Sequence, residues 1–184
     1  TSIVIPGSVT TINKCAFECV IYKRKANGET CGTNSINGYV EGNIVYLDET
    51  KTFLVRCTQA ISVNIPDSVK KIGDYAFEHC DGLTELTIPS SVTEIGDGAF
   101  YGCYGLLSVT IPSSVTSIGR YAFYGCIGLK VVTIGDSVTS IGRDAFYGCS
   151  GVSSITIPNS VTIIGKQAFQ DVPNIIFRKA NGQT

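Results

Sequence analysis

The sequence predicts an α/β solenoid that lays down one short parallel strand per 23-residue coil, and three observations predict it. Ile-Pro recurs at Ile65-Pro66, Ile88-Pro89, Ile111-Pro112 and Ile157-Pro158, with Ile134-Gly135 in register, so the step is 23 residues throughout. Within the step the same columns hold the same residue types, giving a unit I-P-x-S-V-T-x-I-G-x-x-A-F-x-x-C-x-x-L-x-x-V-T. A unit this short cannot bury its own apolar face, whereas stacked copies can. Finally, only 16% of the 184 residues are charged, and the formal net charge is −1. Ser and Thr supply much of the surface, and no bulk positive field exists to hold nucleic acid or anionic lipid. No apolar run approaches the ~18 residues of a membrane span.

The chain divides accordingly. Residues 1–19 form a partial leading repeat that starts at Ile5-Pro6 and keeps Ser8, Val9, Thr10, Ile12, Ala16 and Phe17. Residues 20–60 are an irregular insert, because Ile5 and Ile65 are separated by one period plus 37 residues. Residues 61–172 are the regular array, and 173–184 begin a further irregular segment. Lys179-Ala-Asn-Gly182 repeats Lys25-Ala-Asn-Gly28, and neither end shows a polar capping repeat, so the expectation is a piece of a longer array.

Each column has a physical reading. Leu83, Leu86 and Ile88, like Leu106, Val109, Ile111 and Leu129, Val132, Ile134, alternate with Thr near the end of the unit. Period two there means a strand with Val and Ile inward and Thr outward. Pro then ends donation to the ladder. Val92 and Ile95 and their copies turn back over the core. Gly96, Gly119, Gly142 and Gly165, with Asn13 in the leading copy, predict a left-handed turn. Ala-Phe follows, on one helical or 3-10 turn, since too few residues remain before Cys for a full helix. The Phe rings should stack into a spine offset by one strand spacing, ~4.8 Å.

These residues resemble the BspA-like, treponemal-type leucine-rich repeat, over Ile65 to Phe169 without a gap and again over Ile3 to Phe17. The resemblance implies a curved, right-handed leucine-rich-repeat solenoid with its parallel strands on the concave wall. It also implies cell-surface or secreted proteins of bacteria or protozoa, used for adhesion to host extracellular matrix, other microbes or host cells.

In the insert, residues 43–47 and 52–56 flank Asp48-Glu49-Thr50-Lys51 and predict a β-hairpin with a four-residue turn. Residues 30–42, rich in Gly, Asn, Ser and Thr, read as loop.

Cys57, Cys80, Cys103, Cys126 and Cys149 fall on one column, which holds Val20 and Val172 elsewhere. A position that accepts either Cys or Val is a small buried apolar site, so core thiols are expected. Bridges between adjacent coils satisfy the distance condition and stay open. A zinc ladder does not converge tetrahedrally on one ion. Cys15, Cys19 and Cys31 lie off the column; a bridge from Cys31 to Cys19 or Cys15 and three free thiols are both open.

No nucleophile elbow, zinc-protease motif, phosphate loop or dinucleotide fingerprint occurs, so neither catalysis nor a cofactor or metal is expected. His79, the single histidine, stands where later repeats have Gly102, Gly125 and Gly148, and reads as a variable solvent-facing position. The basic run Tyr22-Lys-Arg-Lys25 reads as a solvated strand end.

In a stack the invariant columns make the fold, and the variable outward columns contact partners. On the concave wall these are Glu85, Leu107, Ser108, Lys130, Val131 and Ser154, with the strand threonines Thr87, Thr110 and Thr133. Leu107 and Val131 are expected to be apolar and exposed on neighbouring coils, a small apolar centre with Lys130 and Glu85 at its rim. Tyr101, Tyr124 and Tyr147 on the opposite, convex side form a second candidate surface. The functional expectation is a non-catalytic protein-binding module, with a self-associating structural array as the alternative.

Overall fold

The computed structural model describes residues 69–179 continuously, residues 62–65 and 67, and the strands at 2–4, 11–12, 38–41, 44–47 and 52–54. Cys15, Cys19, Cys31, Cys57 and the basic run at 22–25 lie outside the described residues. Sixteen strands, numbered in chain order, are described. The first wall of the solenoid consists of β1 (Ser2–Val4), β6 (Ser62–Asn64), β8 (Glu85–Thr87), β10 (Ser108–Ile111), β12 (Val131–Ile134), β14 (Ile155–Ile157) and β16 (Ile175–Phe177). Pairing along it is parallel, with Val109 opposite Val132 and Ile111 opposite Ile134 at the 23-residue step. β10 and β12 alternate exposed and buried residues, as period two requires.

Each coil carries a second strand that the sequence reading lacks. β2 (Thr11–Ile12), β7 (Lys71–Ile72), β9 (Glu94–Ile95), β11 (Ser117–Ile118), β13 (Ser140–Ile141) and β15 (Ile163–Ile164) form a parallel six-stranded sheet in stacking order. Two residues are too short to show an alternation, so only the stacked neighbours reveal this wall. Its threonines are bound within the stack: the hydroxyls of Thr93, Thr116, Thr139 and Thr162 donate to the carbonyl of the preceding coil at 3.0–3.3 Å.

The leading repeat stacks directly on the regular array. β1 pairs β6 with Ile3 opposite Val63, and β2 pairs β7 with Ile12 opposite Ile72. The insert is therefore extruded without breaking the ladder. It contains the expected antiparallel pair, β4 (Ile44–Leu47) with β5 (Thr52–Leu54). It also contains β3 (Gly38–Glu41), which pairs β4 antiparallel where loop was expected. Tyr39 and Val40 favour a strand, and the Gly- and Asn-rich surroundings mask that preference at the level of composition.

On the third side, no helix occurs among the described residues; the Ala-Phe segments are successive turns. Backbone donors alternate there. The amides of Ala76, Glu78 and Cys80 bond three residues back, whereas those of Tyr75, Phe77 and His79 donate to Asp97, Ala99 and Tyr101 of the next coil at 2.7–2.8 Å. A helix would return every amide to its own coil. Left-handed residues sustain the alternation in two columns: Tyr75, Gly98, Tyr121, Asp144 and Gln167, then His79, Gly102, Gly125, Gly148 and Asp171, all with φ of 54–72°. This corrects the sequence reading, which put positive φ at Gly96, Gly119, Gly142 and Gly165. Those glycines are needed for close approach: a Cβ on Gly119 would lie 2.5 Å from the carbonyl carbon of Gly96 and 2.6 Å from the amide of Asp97.

The enclosed core is one continuous cluster of the predicted columns. Phe77, Phe100, Phe123, Phe146 and Phe169 stack at centroid separations of 4.9, 5.0, 5.1 and 5.5 Å, within 16° of parallel. Cys80, Cys103, Cys126 and Cys149 are buried free thiols, as expected of that column. The structure adds a reason for Cys over Val. The thiols of Cys103, Cys126 and Cys149 donate to the carbonyls of Phe77, Phe100 and Phe123 in the preceding coil at 3.0–3.2 Å. Burial pushes the Cys149 thiol up to about 12. Burial, reinforced by the neighbouring Cys126 thiol, likewise holds Cys103 well above its ordinary value.

Two predictions follow from these contacts. Gly119→Ala should cost about 3 kcal/mol or more, because every atom its Cβ would meet is backbone of the preceding coil, which cannot yield, while Gln167→Gly, which removes an exposed side chain from a left-handed site, should gain up to about 1 kcal/mol; urea denaturation measures both. The buried thiols give the pH dependence. In the unfolded chain the Cys103 and Cys149 thiols ionise near pH ~8.5, while in the folded chain they keep their protons, so the unfolded chain binds fewer protons above that pH. Stability should therefore be retained below about pH 8 and fall by up to about 1.4 kcal/mol per pH unit per thiol toward pH 12. A Cys103→Val, Cys149→Val double variant should show a shallower alkaline fall in urea midpoint.

Candidate functional site

Pro89 and Pro112 end their strands, and Leu83, Leu106 and Leu129 anchor the chain entering the next ones, so each coil presents the segment before its first-wall strand at the same place. Leu107 sits between Thr84 and Lys130 in this column: its amide donates to the Thr84 carbonyl at 3.2 Å, and its carbonyl accepts from Lys130 at 2.8 Å. One residue on, Ser108 pairs with Val131, and Thr110 pairs with Thr133. Glu85 opens β8 and Thr87 closes it. Glu85, Thr87, Leu107, Ser108, Thr110, Lys130, Val131 and Thr133 are all exposed on this wall, and Ser154 is half-buried. Leu107 is 49% exposed and Val131 57%, on adjacent coils.

Two further apolar side chains join them that the sequence reading did not place there. Tyr104 is 45% exposed and Ile127 53%, in the column occupied by Asp81 and Ser150 in neighbouring coils. They precede Leu107 and Val131 by three and four residues, at the corner where the turns meet the first wall. The signal was available, since this column varies as freely as the Leu107 column. Among the described large apolar side chains, Tyr104, Leu107, Ile127 and Val131 are the exposed ones outside the last described coil, where Ile163, Ile164 and Phe177 are exposed. Their outward neighbours on the wall are Thr84, Ser108, Thr110 and Thr133, with the charged Lys130 and Glu85.

The third side carries aromatic rings. Tyr101, Tyr124 and Tyr147 stack at 4.9 Å with interplanar angles of 2° and 6°, and Tyr121 meets Tyr124 edge-on at 6.0 Å. Partial burial, with Tyr124 beside it, raises the Tyr101 phenol above its ordinary value. His79 does not project freely into solvent. It is half-buried, and its ring lies edge-on to Tyr101 at 5.5 Å and tilted against Tyr104 at 5.9 Å. Cys80 beside it faces the core at 1% exposure, so the two do not form a nucleophile–base pair.

Among the described residues, no three His, Cys, Asp or Glu side chains are grouped to hold a metal ion, and no helix is long and apolar enough to cross a membrane. The charged contacts are Lys71 with Glu94 at 2.6 Å and Arg178 with Asp136, both at the surface, and Arg143 with the buried Asp144 at 2.8 Å. Exposed pairs such as Lys71–Glu94 contribute about 0–1 kcal/mol and orient no chemistry.

The closely stacked coils match the solved T. pallidum leucine-rich repeat protein at a TM-score of 0.62 and 26% identity, over 76% of this chain and 67% of that one. A leucine-rich cell surface protein from Faecalibacterium prausnitzii matches at 0.52 and 26%, over 81% of this chain and 60% of that one. The pneumococcal vaccine antigen PcpA matches at 0.55 and 26%, over 72% of this chain and 32% of its own. This chain thus spans less than two thirds of the F. prausnitzii protein. No relative is found among curated proteins. The family model described as the BspA type leucine rich repeat region matches six copies across residues 49–176, and with the parallel coils, phenylalanine spine and 23-residue step the chain belongs to that family.

Proposed function

We propose that this chain is a non-catalytic protein-binding module of a cell-surface or secreted protein, acting as an adhesin or host-interaction domain. Leucine-rich repeats of this family are generally protein-interaction modules. One observation carries the reading for this chain: four exposed apolar side chains, Tyr104, Leu107, Ile127 and Val131, lie on two adjacent coils, on and beside a wall whose other outward residues are mainly Ser and Thr with Glu85 and Lys130. An apolar centre that includes an aromatic and is rimmed by polar groups is the anatomy of a protein interface. Lys130 and Glu85 at the margin add charge where it steers a partner and costs little desolvation. The surface location is supported by the F. prausnitzii neighbour, itself named a cell surface protein. Host extracellular matrix or other cell-surface proteins are the partner class that fits, and the wall supplies binding without nucleophile, base or metal.

The test is capture by immobilised matrix proteins and by intact cells. Leu107→Ala, Lys130→Ala and Val131→Ala together should weaken capture at least about tenfold, a loss of roughly 1.4 kcal/mol or more. The thermal midpoint should stay unchanged, because exposed positions contribute within about 0.5 kcal/mol. Unaltered capture with an intact fold would move the interface elsewhere. A mass that grows with concentration in light scattering, with no capture, would favour a self-associating array instead.

A further inference from the structure

The tyrosine side of the solenoid has a chemistry that the protein-binding reading does not use. Tyr101, Tyr124 and Tyr147 are stacked face to face at 4.9 Å, so both faces of Tyr124 and one face each of Tyr101 and Tyr147 are taken up within the stack. What they present outward is a row of phenol edges. Their hydroxyls make no hydrogen bond within the described residues, and none of them is among the buried unpartnered oxygens, which are Ser91 and Ser114. The row is therefore open to solvent as evenly spaced groups, each able to donate and accept. The fold does not require it, since the same column holds Glu78 one coil before and Gln170 one coil after.

Beside the ladder the chain is bare. At Gly125 the nearest atom to an added Cβ would be Tyr104 Cε1 at 3.9 Å, and at Gly148 it would be the Gly125 Cα at 3.6 Å. Neither glycine is forced by its left-handed φ, because His79 and Asp171 adopt the same conformation in that column. At Gly102, by contrast, the space is filled: an added Cβ would meet Nδ1 of His79 at 2.5 Å. The structure thus shows a flat polar ring resting on this strip at one end, and over the next two coils room for a Cβ at ordinary contact distance, with the Tyr104 ring at its edge.

We infer that the phenol ladder and the open strip beside it form a second binding surface, for a neutral oligosaccharide. Three features select this class. The phenol, glycine and Tyr104 columns carry no charge from Tyr101 to Ser150, and the charges bordering the ladder on its other side, Arg143 and Asp144, are paired with each other, which disfavours an anionic or cationic ligand. The amides of Gly102, Gly125 and Gly148 already donate to Tyr124, Tyr147 and Gln170 of the next coil, which leaves no backbone edge for a peptide to extend by strand addition. The free groups are hydroxyls in a row, matched by the hydroxyls of a sugar chain, while the bare strip accepts a sugar's C–H face. This surface shares its Tyr104 and Ile127 border with the apolar patch but uses neither Leu107 nor Val131, and it does not rest on the protein-binding reading.

The absence of Trp makes tyrosine fluorescence a direct reporter. Cellohexaose, chitohexaose and mannohexaose are titrated separately against the whole chain, and at least one should give a saturable change. Tyr124→Phe and Tyr147→Phe keep the stack and remove the hydroxyls; each should weaken binding about fivefold. Gly125→Asn, tolerated at a left-handed site, should obstruct the strip and abolish binding with no loss of thermal midpoint. The Leu107, Lys130, Val131 triple alanine variant should bind the sugar as before, so failure of the protein-binding reading and failure of this one are told apart. No saturable response to any of the three at millimolar concentration, equal binding by both Phe variants, or preference for heparin over the neutral hexamers overturns the inference.

Discussion

The spacing between coils is the constraint on which the rest of this structure depends. Parallel hydrogen-bonded strands lie ~4.8 Å apart, and every other feature must accept that distance. Phe rings stack at 4.9–5.5 Å and Tyr rings at 4.9 Å. At the corner after the second wall, backbone rests on backbone, and the glycines there admit no Cβ. A side chain at that corner would wedge two coils apart, loosening three ladders and the spine together. The 23-residue repetition is the sequence record of this requirement, since any column inside the stack has to solve the same packing problem once per coil.

The turns share the work of stacking with the strands. Because alternate amides leave their own coil for the next, the side expected to carry helical turns becomes a third ladder. Its donors reach carbonyls at 2.7–3.0 Å along the array, as from Phe100 to Ala122 and from Asp144 to Lys166. The thiols extend the same logic inward. A Phe carbonyl that points into the core accepts the Cys amide of its own coil and the Cys thiol of the next, as Phe77 does from Cys80 and Cys103. A Val in that place fills the volume but leaves the carbonyl with one donor. Burial holds the Cys103 and Cys149 thiols protonated, which makes them structural.

How much of this was legible follows from what repetition can show. The first-wall strands, the phenylalanine spine and the buried Cys column were readable because each needs one residue type. The left-handed columns were not, because Tyr75, Gly98, Tyr121, Asp144 and Gln167 share a backbone angle and no chemistry. The invariant glycines misled for the complementary reason: glycine marks either a positive φ or a close approach, and Asn13 in the same column favoured the former. The second wall was hidden by its length, and β3 by the composition around Tyr39 and Val40. At the candidate site, Leu107 and Val131 stood out as apolar residues at outward strand positions. Tyr104 and Ile127 sit in a corner that no strand periodicity reaches.

A surface built across two coils depends on their register, which ties the binding patch to the packing beneath it. Leu107 immediately precedes β10 and Val131 opens β12, and the spacing between their coils is set where Gly142 rests on the Gly119 carbonyl carbon at 2.5 Å from the position of its missing Cβ. Neither glycine touches the patch. Widening that step would separate Leu107 from Val131 and Tyr124 from Tyr147 by the same displacement. Stability in a stack of this kind is a sum of nearest-neighbour contacts, so such damage stays local, and it falls on the coils that carry both exposed surfaces. In this array the residues that hold coils together and those that meet other molecules are separate sets, yet the geometry of the second is inherited from the first.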